Sequence, residues 1–256
     1  MIRNTFSILD GVGVRLERGL WRKGILEWKD FIGAPAIKTS ISAPRKAALD
    51  RDLMDAGERL TRGDSGYFAR ALPRKEHWRL YEEFRARAVC LDIETNGWHP
   101  AAGGYVTVAG LYDGFDYKAF VRGENLSAPA LRRELSRYGY LITFFGSAFD
   151  MPFLRETLGV DFEGAHFDLC FGARRLGMKG GLKKIEPLMG INRDESVRGM
   201  DGYEAVRLWH EAARGNAGAM DLLITYNRED TVNLMALAGM IYPRLKAQTG
   251  IEEYLN

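Results

Sequence analysis

The sequence predicts an α/β layer fold, a mixed sheet covered by helices, with helical segments ahead of it. Three observations carry this reading. Runs rich in β-branched and aromatic residues are confined to the chain after residue 88, in "AVCLDIE", "YVTVAGLY" and "FDYKAFV", which follow one another through short turns. A fourth run, "YLITFF", comes only after a helical stretch over residues 127–137, so strands then alternate with helices. Beyond it the apolar residues recur at helical spacing over residues 149–158, 170–177, 181–189, 201–213 and 219–241.

The chain before residue 88 reads differently. Residues 1–33 form a compact unit, in which a Gly-Val-Gly turn precedes Leu16, Leu20 and Trp21 at helical spacing. Residues 34–87 read as a helical linker: Pro44 suits a first helical position, Leu49, Leu53, Ala56 and Leu60 share one face, and "TRGDSG" breaks the run. Residues 88–256 hold the α/β domain. A chain of 256 residues is long enough for one domain of about 150 residues and a smaller companion.

Charge follows the same division. Residues 1–88 carry 18 Lys and Arg against 12 Asp and Glu, and the remainder 18 against 22, within a net charge of +2. A basic N-terminal part suits contact with phosphates, or else a solvated surface of mixed charge. No apolar run reaches the roughly 18 residues that span a bilayer, and the first residues lack a secretory layout, so a cytoplasmic location without membrane contact is expected. Cys90 and Cys170 are the only cysteines and neither has a ligand at metal-site spacing, so buried thiols are expected rather than a disulfide scaffold or zinc.

The informative stretch is the end of the first strand. Asp92 and Glu94 lie two residues apart, so their carboxylates share one face while Ile93 points into the opposite layer. Two like charges there are stabilised most simply by a cation, and carboxylate oxygens suit Mg²⁺. Further acids stand at the ends of other elements. Asp150 follows "YLITFFGSAF" where a strand gives way to a helix, a position that also suits an N-cap. Asp230 lies inside the last helix with Tyr226 one turn before it. Four acids arriving from separate elements could hold two divalent ions about 4 Å apart for in-line phosphoryl displacement.

These motifs, Asp92-Ile93-Glu94, Phe149-Asp150 and Tyr226-xxx-Asp230, resemble those of the DEDD exonucleases of the ribonuclease H-like superfamily, with acid spacings of 58 and 80 residues. Tyr226 four residues before the last Asp, with Thr225 where the other branch carries His, is similar to the tyrosine (DEDDy) branch. "YFARALPRKEHWRLYEEF", "HFDLC", "GGLKKIEPLMGINR" and "YNREDTVNL" extend the similarity to the YprB-type family over nearly the whole chain. That resemblance implies a ribonuclease H-like mixed sheet flanked by helices and a metal-dependent 3'-5' exonuclease with two Mg²⁺ or Mn²⁺ ions. Asp92 would bridge both ions, Glu94 and Asp230 would complete the site that activates water, and Asp150 would hold the second ion. Tyr226 would orient the water, because a phenol near pKa 10 is a poor base at neutral pH. One departure is Phe145, where the family commonly has Asn; by spacing it bears on substrate positioning and strength of turnover rather than on the metals.

"DGVGVRLERGLWRKGI" is similar to a helix-hairpin-helix, with Gly11 and Gly13 presenting backbone N–H groups to a phosphate and Arg15 adding charge. Asp10 stands where such hairpins have Pro, and a purely packed helical cap is the other reading. The hairpin favours DNA over RNA as partner; Phe149 is a candidate contact for the strand end. An end-binding protein with little turnover and a 3'-5' exoribonuclease are the alternative functions. His166 and Asp168 in "HFDL" read as a strand-end capping pair. Lys183 and Lys184, after Gly180 and Gly181, suit either a phosphate contact or a solvated helix face.

Overall fold

The computed structural model describes residues 1–39 and 41–255. Its sheet has five strands in the order β3-β2-β1-β4-β5: β1 (Ala88–Thr95), β2 (Val106–Tyr112), β3 (Tyr117–Val121), β4 (Tyr140–Thr143) and β5 (Ala165–Asp168). β1 pairs antiparallel with β2 and parallel with β4; β2–β3 is antiparallel and β4–β5 parallel. Each parallel step carries a helix in its crossover, Ala128–Leu135 before β4 and Asp150–Leu158 before β5, as a parallel connection requires.

Alternation along β1 sorts its residues into two layers. Val89, Leu91 and Ile93 pack with Leu131, Leu135, Met151 and Leu154 of those two helices. Ala88 and Cys90 face the other way, toward Leu234, Leu237, Ala238 and Ile241 of the long Ala217–Thr249 helix. That second face begins apolar and ends at Asp92 and Glu94, and the helix covering it likewise turns from leucines to Tyr226, Asn227 and Asp230. Pro243 does not end this helix, because buried Ile241, Tyr242 and Leu245 keep both sides of it docked at the cost of one backbone hydrogen bond. The pairing slips one residue between Glu94 and Thr95, a bulge at the acidic end of the strand.

The first 87 residues do not form a spacer. Met1, Phe6, Trp21, Trp28 and Phe31 share one continuous core with Leu49, Leu53, Phe68, Trp78 and the sheet residues Cys90, Tyr140 and Phe167. A run of rings makes the connection: Trp28 stacks on Phe68, Phe68 meets Phe84, and Phe84 stacks on Tyr140 of β4, with centroids 6.4, 6.0 and 6.5 Å apart. The linker reading of residues 34–87 is thereby corrected, since Phe68, Trp78, Tyr81 and Phe84 are too apolar to be left in solvent and supply one wall of the core.

The hairpin reading is corrected too. Ahead of Gly11 the chain holds only a short 3-10 turn, Ile2–Asn4, and further turns, where a helix-hairpin-helix needs a first helix. Those residues are tied down instead by side chains: Glu17 accepts the amides of Phe6 and Ser7 at 2.7 and 3.2 Å, and the Trp21 and Trp28 indoles donate to the carbonyls of Asn4 and Thr5. Gly11 does adopt the left-handed region, at φ +68°, but the Arg45 guanidinium covers it and donates to the Asp10 carbonyl at 3.2 Å. Gly13 and Arg15 are exposed at the start of the Val14–Trp21 helix.

Both cysteines are buried and free, and among the described residues no helix is long and apolar enough to cross a membrane. Beneath β4 and β5 lies buried His77, which meets the half-buried His166 of β5. His77 Nδ1 accepts the His166 amide at 3.1 Å while its Nε2 faces the Ala69 and Leu72 carbonyls, and His166 Nε2 meets Thr143 Oγ1 at 2.8 Å. Burial lowers both pKa values, that of His166 to about 4. A depressed folded-state pKa contributes stability above the unfolded value near 6.5 and loses it as pH falls toward 4. Acid melting curves of His166→Gln are therefore expected to fall less between pH 6.5 and 4 than those of the wild type. Asp150, raised to about 7, acts with the opposite sign, losing stability as pH rises, so the difference between the two proteins isolates the histidine. Parallel curves would show that His166 does not titrate on unfolding.

Candidate active site

The acids come together where β1 ends under the long helix. Ligand oxygens of Asp92, Glu94 and Asp230 lie within 4.8 Å of one another. Glu94 and Asp230 are buried and Asp92 is partly open. Asp150 joins from the side: its Oδ1 accepts the amide of Ile93, between the two β1 acids, at 3.1 Å. It is therefore the first residue of its helix, with Phe149 at the cap position, and not the N-cap the sequence suggested. Tyr226 lies almost fully buried one turn before Asp230.

The turn that delivers Asp150 is held by Asp168, which accepts the amides of Phe145 (2.8 Å), Ser147 (3.0 Å) and Cys170 (3.1 Å) and the Ser147 hydroxyl (2.6 Å). Asp168 thus caps the Leu169–Arg175 helix instead of forming a strand-end pair with His166, and through that turn it positions Asp150. Gly146 belongs to the same turn; a Cβ there would stand 2.5 Å from Thr143, so only glycine lets the chain double back on β4.

Electrostatics make the cluster costly without a counter-charge. Burial, followed by the charges of Asp230, Glu94 and Asp150, pushes the Asp92 carboxyl well above the ordinary carboxylate range. Glu94 is raised in the same way, by burial and then Asp230, with the Asn227 amide opposing. Asp150 rises to about 7, chiefly from burial, against the stabilising Ile93 amide. The Tyr226 phenol is raised by burial first and then by Asp230, Glu94 and Asp92, so it stays protonated at neutral pH. Two side-chain cations enter the space. Lys183 reaches the Tyr226 hydroxyl and lies 4.2 Å from the centre of its ring. Arg193 pairs with Asp230 and grips Glu186 through Nε and Nη2 at 2.6 and 2.9 Å, while its Nη1 is buried with no hydrogen-bond acceptor.

Sequence reasoning left Lys183 undecided between phosphate and solvent; the fold turns it into the site and leaves Lys184 exposed. It missed Asn227 altogether. This fully buried amide donates to Asp92 Oδ2 at 2.9 Å and to Glu94 Oε1 at 3.4 Å, and accepts from the Tyr117 hydroxyl at 2.8 Å. The signal was present: Tyr226, Asn227, Asp230 and Thr231 form one stripe continuous with Leu234, and polar residues on an apolar stripe need a reason. Gly110, opposite Asp92 on β2, was also missed. A Cβ there would come within 2.0 Å of Asn227 Oδ1 and 2.6 Å of Thr231 Oγ1, so glycine is what lets the helix approach. Arg193 had no such signal, because it sits in an irregular segment after the Leu182–Leu188 helix.

Beside the acids is a cleft of about 590 Å³ lined by Glu94, Trp98, Phe149 and Val206, where Phe149 and Trp98 are exposed. Gly11, Gly13 and Arg15 do not line it. The donor set fits divalent metal ions: only oxygens, carried by carboxylates that repel one another when ionised, on a rigid strand and helix. Asp92, Glu94, Asp150 and Asp230 would hold them.

A mixed five-stranded sheet flanked by helices, with carboxylates gathered at the end of its central strand, defines a ribonuclease H-like nuclease domain. The chain belongs to the RNase_H superfamily, whose family model matches residues 89–242, more than half of its length. Among solved structures it is similar to Brucella melitensis NrnC bound to pGG, at 21% identity and a TM-score of 0.49, over 68% of this chain and 80% of that one. No curated protein sequence matches it.

Proposed function

We propose that this protein is a metal-dependent 3'-5' exonuclease of the DEDDy type, similar to the YprB-type family, acting on single-stranded ends. The observation that carries the reading is the meeting of Asp92, Glu94 and Asp230, with Asp150 on the amide between the first two, in one buried pocket. Two divalent ions, Mg²⁺ or Mn²⁺, would lower the pKa of the attacking water and take up charge on the phosphate. The protein's own groups do the rest. Asn227 holds Asp92 and Glu94 in register with each other. Tyr226, a protonated phenol with Lys183 at its oxygen, can orient a water but not deprotonate it. Arg193, with its free Nη1, supplies positive charge beside the acids.

Preference for DNA rested on the Gly11–Gly13 hairpin, whose first helix is absent from the described residues, so the sugar is left to the substrate test. That test pairs 3'-labelled and 5'-labelled oligonucleotides, as deoxyribose and ribose versions, with Mg²⁺ or Mn²⁺. Release of labelled mononucleotide from the 3' end, and a ladder shortening from that end on the 5'-labelled strand, is the expected result. Strands retained intact on the protein would make it an end-binding protein, and internal cuts would make it an endonuclease.

A further inference from the structure

The turn carrying Asp150 also presents an aromatic surface that the carboxylates do not use. Phe145 is the sole non-glycine among the described residues with a positive φ, at +69°. An aromatic side chain in that region is strained, and strain of this kind persists where its surroundings impose it. The strained backbone turns its ring outward: Phe145 is 39% exposed, and it leans on Phe171, itself 45% exposed, with centroids 6.2 Å apart. The Arg174 guanidinium lies over both rings, 5.7 and 5.4 Å from their centres. Two phenylalanines left open to water under an arginine form a face that suits a planar, anionic ligand.

Phe171 and Ser147 stand at the edge of a cavity of about 1000 Å³ that runs beneath β5, away from the carboxylates, to Val14 at the start of the N-terminal helix. Its lining carries five Lys and Arg against four Asp and Glu. Arg155 and Arg175 pair with Asp161 and Glu76, but Arg70, Arg74 and Lys75 have no acidic partner among the described residues. Val14 lies between Gly13 and Arg15, so those exposed residues flank the far end.

We propose that this cavity is a track for the unpaired part of the substrate strand: a base upstream of the two nucleotides that flank the scissile bond stacks on the Phe145–Phe171 face under Arg174, and Arg70, Arg74 and Lys75 meet the phosphates that follow. The inference rests on the nuclease reading and names what that nuclease takes, a strand several nucleotides long rather than a dinucleotide. Stacking on aromatic rings accepts any base, and a groove of unpaired cations tracks a backbone without reading it.

The test measures binding of fluorescent oligonucleotides of two, three, five and eight nucleotides, with Ca²⁺ in place of Mg²⁺ so that the strand is not cut. In the wild type, affinity rises with length up to about five nucleotides. Phe145→Asn keeps a side chain that tolerates the left-handed backbone, and together with Phe171→Ala it is expected to weaken five- and eight-nucleotide strands by about tenfold or more, leaving the dinucleotide unchanged. A strand with an abasic residue at the stacked position erases the difference between variant and wild type. Arg74→Ala with Lys75→Ala lowers the slope of log affinity against log salt by roughly 1.4 for long strands only. Length-dependent affinity that ignores ring removal, or equal weakening at all lengths, overturns the track alone. Failure to bind a strand of any length overturns the nuclease reading and the track with it.

Discussion

Asp92→Asn and Asp230→Asn are each expected to lower Mg²⁺- or Mn²⁺-dependent hydrolysis by about a thousandfold or more, because each removes an anionic oxygen from the group that would hold the ions. Neither change should unfold the protein. Asn is close in shape to Asp, and its Oδ1 can still accept the Asn227 amide that Asp92 accepts at 2.9 Å. Removing the Asp92 charge relieves the repelling buried carboxylates left behind, so metal-free Asp92→Asn is expected to melt at or above the wild-type temperature, whereas Asp230→Asn also gives up its Arg193 pair and is expected to melt somewhat below it. Divalent ions should raise the melting temperature of the wild type and not that of the variants, since only a folded state that binds the ligand gains from it. Hydrolysis at wild-type rate by either variant would show that the acids are not the catalytic centre. A variant that loses both activity and cooperative melting would show that they serve the fold.

The second large effect lies far from the chemistry. Arg79 is 1% exposed and pairs with Glu17 at 2.9 Å and Glu76 at 2.6 Å, with Thr5 Oγ1 accepting from its Nη1 at 3.2 Å. It thereby ties the N-terminal helix to the 3-10 segment Arg74–Leu80 that packs under β5. Burial raises the pKa of Glu17 despite this partner, a sign that the carboxylate has left water at a cost. Arg79→Ala strands the buried Glu17 and leaves Glu76 with Arg175 alone, and breaking such a cluster costs about 3–5 kcal/mol. At about 2–4 °C per kcal/mol for a chain near this size, the melting temperature should drop by roughly 10 °C. Arg79→Met combined with Glu17→Gln should recover much of that loss, because Glu76 keeps Arg175 and no buried charge is then left unpaired. A loss under about 1 kcal/mol for Arg79→Ala, read from urea melts, would mean that the triad is solvated after all.

Side-chain alternation explains why so much of the site was legible. A strand commits residues two apart to one face and a helix commits residues four apart to one stripe, so Asp92 with Glu94, and Tyr226 with Asp230, declared their partnership before any coordinates. The sheet was legible for the same reason, since β-branched runs and short turns mark strands within the local chain. The hairpin failed for the complementary reason. A Gly-x-Gly turn constrains only a few residues, and whether a helix precedes it depends on what packs there; Trp21, Trp28 and Glu17 claimed that stretch for the core.

The order of amino acids thus specified the elements and the chemical character of each face, because both arise from local periodicity and side-chain type. Which faces meet is a long-range matter. The join of the N-terminal segment to the sheet through Trp28, Phe68, Phe84 and Tyr140, the close approach that Gly110 permits, and the arrival of Asn227, Lys183 and Arg193 among the carboxylates all depend on contacts between residues distant in the chain. No periodicity encodes those contacts; they were decided by packing, when burying apolar surface brought polar groups within reach of one another.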